Sequence, residues 1–224
     1  MTFTGFPADA FAFYAELDQV QQGDPARARE WWKSSKTRYE SSVREPAEAL
    51  AAELAEEFGS LKIFRPYKDV RFSADKRPYK DHLGMVSTDV SRTAHYFQLS
   101  ERGVMIGGGL YQPSREQLAR FREIVDDVRL SGDVEAAVEN ATDAGFTLMT
   151  EGAVATAPRG YRADHPRIGL LRLTHLAVGR HHDVADWMST PELTDRVRTG
   201  WRVVTAWNAW LEENLPTAVE TARR

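Results

Sequence analysis

Apolar residues recur at helical spacing near both ends of this chain and at strand spacing only between them, and that order constrains the fold more than any other feature. Phe11, Tyr14, Leu17 and Val20 mark one side of a helix over 8–22, with Pro7 near its first turn and Gly23 after its end. Asp24 and Pro25 suit the cap and first residue of a second helix, which carries Trp31, Trp32 and Tyr39 to about Val43. Pro46 restarts a third, Ala/Glu-rich helix to Phe58, and Gly59 stops it. At the far end Leu193, Val197, Trp201, Val204, Trp207 or Asn208, and Leu211 repeat with the period of a helix over 191–215.

The middle reads differently. Short strands are expected at 61–64, 85–87, 94–99 and 104–111, the last two joined by the turn Ser100-Glu101-Arg102-Gly103. Helices follow over 113–128, with Leu118, Phe121, Ile124, Val125 and Val128 inward, and over 133–144. One or two strands fall within 146–155, and a last strand over 170–178 follows a short helical turn. Helices outside and strands inside imply an α+β fold: a mostly antiparallel central sheet covered by the N-terminal and C-terminal helices. No repeat, low-complexity tract or linker interrupts it, so residues 1–224 are expected to form a single domain around one core.

There is no cysteine, which excludes disulfides, thiol nucleophiles and Cys-ligated zinc. The opening MTFTGFPADAF lacks a basic stretch followed by an apolar one, and no apolar run approaches the ~20 residues that span a bilayer. A soluble, cytoplasmic chain with no membrane association is the expectation. The net charge of −4 disfavours nucleic acid as a partner. The charge is unevenly spread: between Arg65 and His82 six bases face three acids, a local +3 that leaves −7 on the remainder.

That segment is the candidate site. Its bases alternate with aromatics and carboxylates between two prolines. Arginine forks match phosphate or carboxylate oxygens, and lysine adds a point charge. Arg65, Arg71, Lys76 and Lys80 would hold an anionic, phosphorylated small molecule. Asp69 and Asp75 would orient them or move protons, Ser73 is the only serine among them, and Tyr79 and Tyr111 would line the pocket. Gly107, Gly108 and Gly109 would leave room for the anion or simply mark a bulged strand. The rival reading is a structural or protein-interaction module in which the same residues form a buried polar network. No cofactor and no metal are expected, because His181-His182-Asp183 has no third spaced ligand and reads as a solvated helix start. The pair Asp164-His165 reads as a capped turn. No residue pattern names a reaction, and whether the chain is an enzyme stays open.

Several of these segments together resemble a widespread microbial family of conserved hypothetical proteins, the domain of unknown function DUF2461. The likeness begins with Phe3-Thr4-Gly5-Phe6 and with Trp32, Lys36 and Tyr39. It is most specific at Phe64-Arg65, Asp69-Val70-Arg71-Phe72-Ser73, Asp75-Lys76 and Pro78-Tyr79-Lys80. It continues through Gly107-Gly108-Gly109-Leu110-Tyr111-Gln112-Pro113 and Pro158-Arg159-Gly160-Tyr161 to His165-Pro166. Trp32 stands where phenylalanine is expected, and Arg77 where a small polar residue is commoner. The resemblance implies a single α+β domain and singles out the basic segment, but it implies no activity.

Overall fold

The structure, a computed structural model, describes residues 2–71, 75–88 and 93–217. Helix α1 (Ala8–Gln21) leads to α2 (Pro25–Tyr39), whose N-terminus is closed by Asp24 Oδ1 accepting from the Ala26 N–H at 2.8 Å. The expected restart at Pro46 is instead a continuation. A π-helical turn (Glu40–Arg44) joins α2 to α3 (Glu45–Phe58), and the Glu45 N–H donates to the Glu40 carbonyl. In a regular helix the Pro46 ring would collide with the carbonyl four residues back, that of Ser42. The wider turn relieves that collision without ending the helix.

Strands β1 (Leu61–Ile63), β2 (His82–Ser87), β3 (Ala94–Ser100) and β4 (Gly103–Leu110) follow. Two helices come next, α4 (Arg115–Asp126) and α5 (Ser131–Asp143). The chain then forms β5 (Thr147–Leu148), α6 (Ile168–Leu171), β6 (Leu176–His182), a 3-10 turn (Asp186–Ser189) and α7 (Glu192–Asn214). The strands form one antiparallel sheet in the order β1-β2-β3-β4-β6-β5, and the fold is α+β as the element order required. Register places Ile63 beside Met85 and Met85 beside Phe97. No helix among the described residues is long and apolar enough to cross a membrane.

Three expectations need correction. Helix α4 ends before Val128, which is 82% exposed, because Asp127 turns extended and its carboxylate accepts the Arg129 N–H at 2.8 Å. That local bond offers the backbone an alternative to another helical turn. Of the one or two strands expected within 146–155, one forms, Thr147–Leu148. The last strand begins at Leu176 and runs to His182, because Leu171 and Leu173 are buried by the α6 turn instead. His181 and His182 therefore end a strand and do not start a helix.

The chain forms two compact units. The first comprises Met1–Asp89, Tyr96–Ile106 and His181–Thr199. Its interior is aromatic: Phe6 stacks on Phe97 at 6.2 Å, and Phe13 packs against Trp31, Trp32 and Tyr39 within 6 Å. Glu53 ties its ends together, accepting from the Phe3 N–H at 2.8 Å and the Thr194 hydroxyl at 3.1 Å. The second unit comprises Val90–His95, Gly107–Arg180 and Gly200–Arg224. Phe121, Ile124, Val125, Phe146 and Leu176 are buried there with Trp201, Val204, Trp207 and Leu211 of α7. The Trp207 indole N–H donates to the Leu176 carbonyl at 3.1 Å, which joins helix to sheet.

Gly109 has φ +127°, and a Cβ there would lie 2.4 Å from the Leu176 carbonyl oxygen. Gly109→Ala should destabilise the protein by about 1–3 kcal/mol from backbone strain alone. Gly132→Ala on α5, where a Cβ meets nothing within 4 Å, should stabilise it by up to about 1 kcal/mol. Urea denaturation of both variants checks the contrast.

Candidate functional site

The basic segment is paired, although its sequence reads as irregular. Beyond β1 the chain stays extended and runs beside its own return. The Phe64 N–H donates to Gly84 O at 2.9 Å, Lys80 N–H to Pro66 O at 2.7 Å and Lys68 N–H to Pro78 O at 2.9 Å, with Tyr67 bridged to Tyr79. Each proline lacks an N–H but supplies a carbonyl, so neither breaks the ladder. Tyr79 anchors the excursion. Its ring stacks on Trp32 at 4.3 Å and 13°, its N–H donates to Gln21 Oε1 at 2.9 Å, and it is 5% exposed. Tyr79 therefore sits inside an aromatic cluster with Trp32 and Tyr67.

The carboxylates of the segment are taken. Asp75 accepts from Arg77 Nε at 3.0 Å, from the Arg77 N–H at 3.0 Å and from Lys68 Nζ at 3.1 Å. These contacts, led by the Arg77 guanidinium, hold its carboxyl well below the usual carboxylate range. Arg77 also reaches Asp18 of α1 at 3.3 Å. Asp69 is bound by Arg71 Nε at 2.9 Å and Nη2 at 2.6 Å, and that pair stands in solvent, Arg71 being 77% exposed. Asp81 meets His82 Nδ1 at 2.7 Å, which brings its pKa down to about 2. Lys76 Nζ donates to the Val70 carbonyl at 3.1 Å. Ser73 lies outside the described residues.

Three bases remain. Among the described residues Lys62, Arg65 and Lys80 make no ion pair. Lys80 is half-buried with its ammonium 4.8 Å from the centroid of the Phe64 ring. Burial first, then the charges of Arg65, Lys62 and Lys68, hold its pKa below the ordinary lysine value of 10.5. The four bases thus form one electrostatic cluster in which, among the described residues, only Lys68 has an ion-paired carboxylate. Lys62 escaped the sequence reading because it lies on β1, before the charge-dense run. The signal that could have found it is the continued pairing past Ile63, which brings β1 and Lys80 onto neighbouring stretches of chain.

The glycine run and Tyr111 belong to the second unit. A Cβ on Gly108 would lie 2.1 Å from Ala94 O and 2.6 Å from Val204 Cγ1. With Leu176 O against Gly109, the space beside these two glycines is filled by protein. Gly107 is buried. Tyr111 is 57% exposed, its ring stacks on His175 at 4.5 Å, and its carbonyl accepts from His175 Nδ1. His165 Nδ1 accepts from the Arg167 N–H at 3.0 Å, and Nε2 faces Asp126 at 3.2 Å. A ring nitrogen already accepting a backbone N–H cannot also serve as a base, so His165 caps its turn. Among the described residues no three His, Asp or Glu side chains gather as a metal site would need.

The sequence model of the family described as conserved hypothetical protein (DUF2461) matches residues 9–210. The chain is a DUF2461 protein. No curated protein and no solved structure matched it. The family description names no reaction, so the chemistry of this DUF2461 protein has to be read from its side chains.

The two arginine pairs should behave differently on truncation. Arg71→Ala should leave the melting temperature unchanged, because its pair is solvated. Arg77→Ala takes a partner from both Asp75 and Asp18 and should lower it by about 2–4 °C, equivalent to ~1 kcal/mol for a chain of this size. Calorimetric melting of both variants measures the difference.

Proposed function

We propose that this DUF2461 protein binds an anionic small molecule, phosphorylated or carboxylated, through Lys62, Arg65, Lys68 and Lys80. The observation that carries the reading is Lys80: a half-buried ammonium next to three other cations, with no carboxylate of its own among the described residues. A cation so placed favours a ligand that supplies the missing negative charge. Two lysines add point charges, and the exposed Arg65 offers a fork of donors to two oxygens.

The structural-network reading has its own support in Arg77, which spans Asp75 and Asp18. The two readings divide the segment. Arg77 and Asp75 brace the chain, the Arg71–Asp69 pair stands in solvent, and the unpaired bases face a ligand.

Isothermal titration with inorganic phosphate and pyrophosphate tests this. Lys80→Met and Arg65→Ala should each weaken binding about tenfold or more, while Arg71→Ala leaves it unchanged. Lys80→Met should also raise the melting temperature, because it removes a desolvated charge from among like charges. A purely structural lysine predicts the opposite. A parent protein that binds neither anion sinks the proposal.

The pH dependence follows from the same shift. With its folded pKa lowered, charged Lys80 weakens the fold at neutral pH, and that penalty fades as pH rises through the folded value towards 10.5. Anion affinity should fall across the same window, at lower pH than for an ordinary lysine, and in Lys80→Met that component of the fall should vanish.

A further inference from the structure

Helix α5 and the C-terminal half of α7 border a cavity of about 560 Å³ within the second unit, in the size range of small-molecule sites. Small side chains, Ala206 among them, make the room, and the half-buried Trp210 forms one wall, with the buried Trp207 behind it. The two indoles stack at 5.8 Å and 14°. Phe121 packs edge-on against Trp210, and the bond from Trp207 to Leu176 fixes the pair. The polar part of the lining is one-sided. Asp133 and Glu213 border the cavity with Asn140, and no lysine, arginine or histidine does. Neither carboxylate makes an ion pair among the described residues.

We propose that this groove binds a small organic cation, an alkylamine or a quaternary ammonium on a short apolar body. Tryptophan is the strongest aromatic partner for such a group, and the alanines offer apolar contact to its carbon atoms. Two unneutralised carboxylates supply the opposing charge, and the Asn140 amide oxygen can accept an ammonium N–H. A hydrated metal ion suits the lining poorly, because it needs several oxygen ligands and gains nothing from indole and alanine surfaces. The charge selects against the anions proposed for Lys80, so the two sites take ligands of opposite sign and fail independently.

The experiment is a titration of the full chain with choline and putrescine at low salt, followed by the indole N–H resonances of Trp207 and Trp210 and by calorimetry. Saturable shifts with a dissociation constant of about 1 mM or tighter are expected. The double variant Asp133→Asn/Glu213→Gln should weaken binding about tenfold or more without changing the melting temperature, since both residues are exposed. Ala206→Phe, which fills the groove from an exposed position, should abolish it with the carboxylates intact. Four outcomes overturn the proposal: no saturation with either amine, an equal response to uncharged 3,3-dimethylbutanol or to calcium chloride, unchanged affinity in the double variant, or a concentration-dependent self-association that shifts both indoles in the absence of amine.

Discussion

The stack of Tyr79 on Trp32 is the contact on which the candidate anion site depends. The excursion between β1 and β2 is held by few backbone hydrogen bonds, and a two-stranded ribbon of that kind is marginal in water by itself. Burying the Tyr79 ring among Trp32 and Tyr67, and tying its N–H to Gln21 of α1, fastens the ribbon to the helices of the first unit. Full burial of a large aromatic side chain contributes about 1.5–3 kcal/mol, more than any exposed ion pair in the segment can supply. Lys80 is the next residue. Its backbone is fixed on one side by this anchor and by its own bond to Pro66, so its long side chain has less freedom to swing into water than a lysine on a mobile loop.

Charge in the segment is distributed by reach. Asp75 lies two residues from Arg77 and across the ribbon from Lys68, and it collects both. Asp69 lies two residues from Arg71 and pairs with it, while also feeling the charge of Arg65. Both aspartates also accept the backbone N–H two residues on, a local turn geometry that aims the carboxylate at the following arginine. Once Asp81 has taken His82, no carboxylate of the segment forms an ion pair with Arg65 or Lys80 among the described residues. The local excess of positive charge is therefore carried by particular residues and is not spread along the loop.

Much of the fold was legible because it rests on periodicity. The inward faces of α1 and α7 follow from Phe11, Tyr14 and Leu17 and from Val197, Trp201, Val204 and Leu211, all of them buried. The β3–β4 hairpin followed from its turn residues. What failed depended on competition between neighbours. Val128 has the spacing of a helical residue, but Asp127 supplies a rival hydrogen bond. Leu171 and Leu173 have the composition of a strand, but they are buried in and just after a helical turn. Pro46 signals a break that a single wide turn removes. Within the candidate segment, the sequence marked the charge-dense run. It could not rank Arg71 against Arg65, because both are arginines in a charged run, and only the partner of each tells them apart.

Lys80 differs from the other unpaired bases in one respect that bears on function. Lys62 and Arg65 are exposed, so water screens them and their lack of partners costs little. Lys80 is half-buried, so its charge is paid for in desolvation and in repulsion from the other three, with the Phe64 ring returning part of that cost. A segment built only to brace the fold has no use for such a residue, since an apolar side chain of similar length would pack there without the penalty. On the proposed reading, an anion would turn the same penalty into affinity: it would remove the repulsion and return the lysine pKa towards its ordinary value, and would do so only when bound. Stability given up in the empty protein would in this way be recovered in the proposed complex, which is the logic by which perturbed charged groups cluster at functional sites.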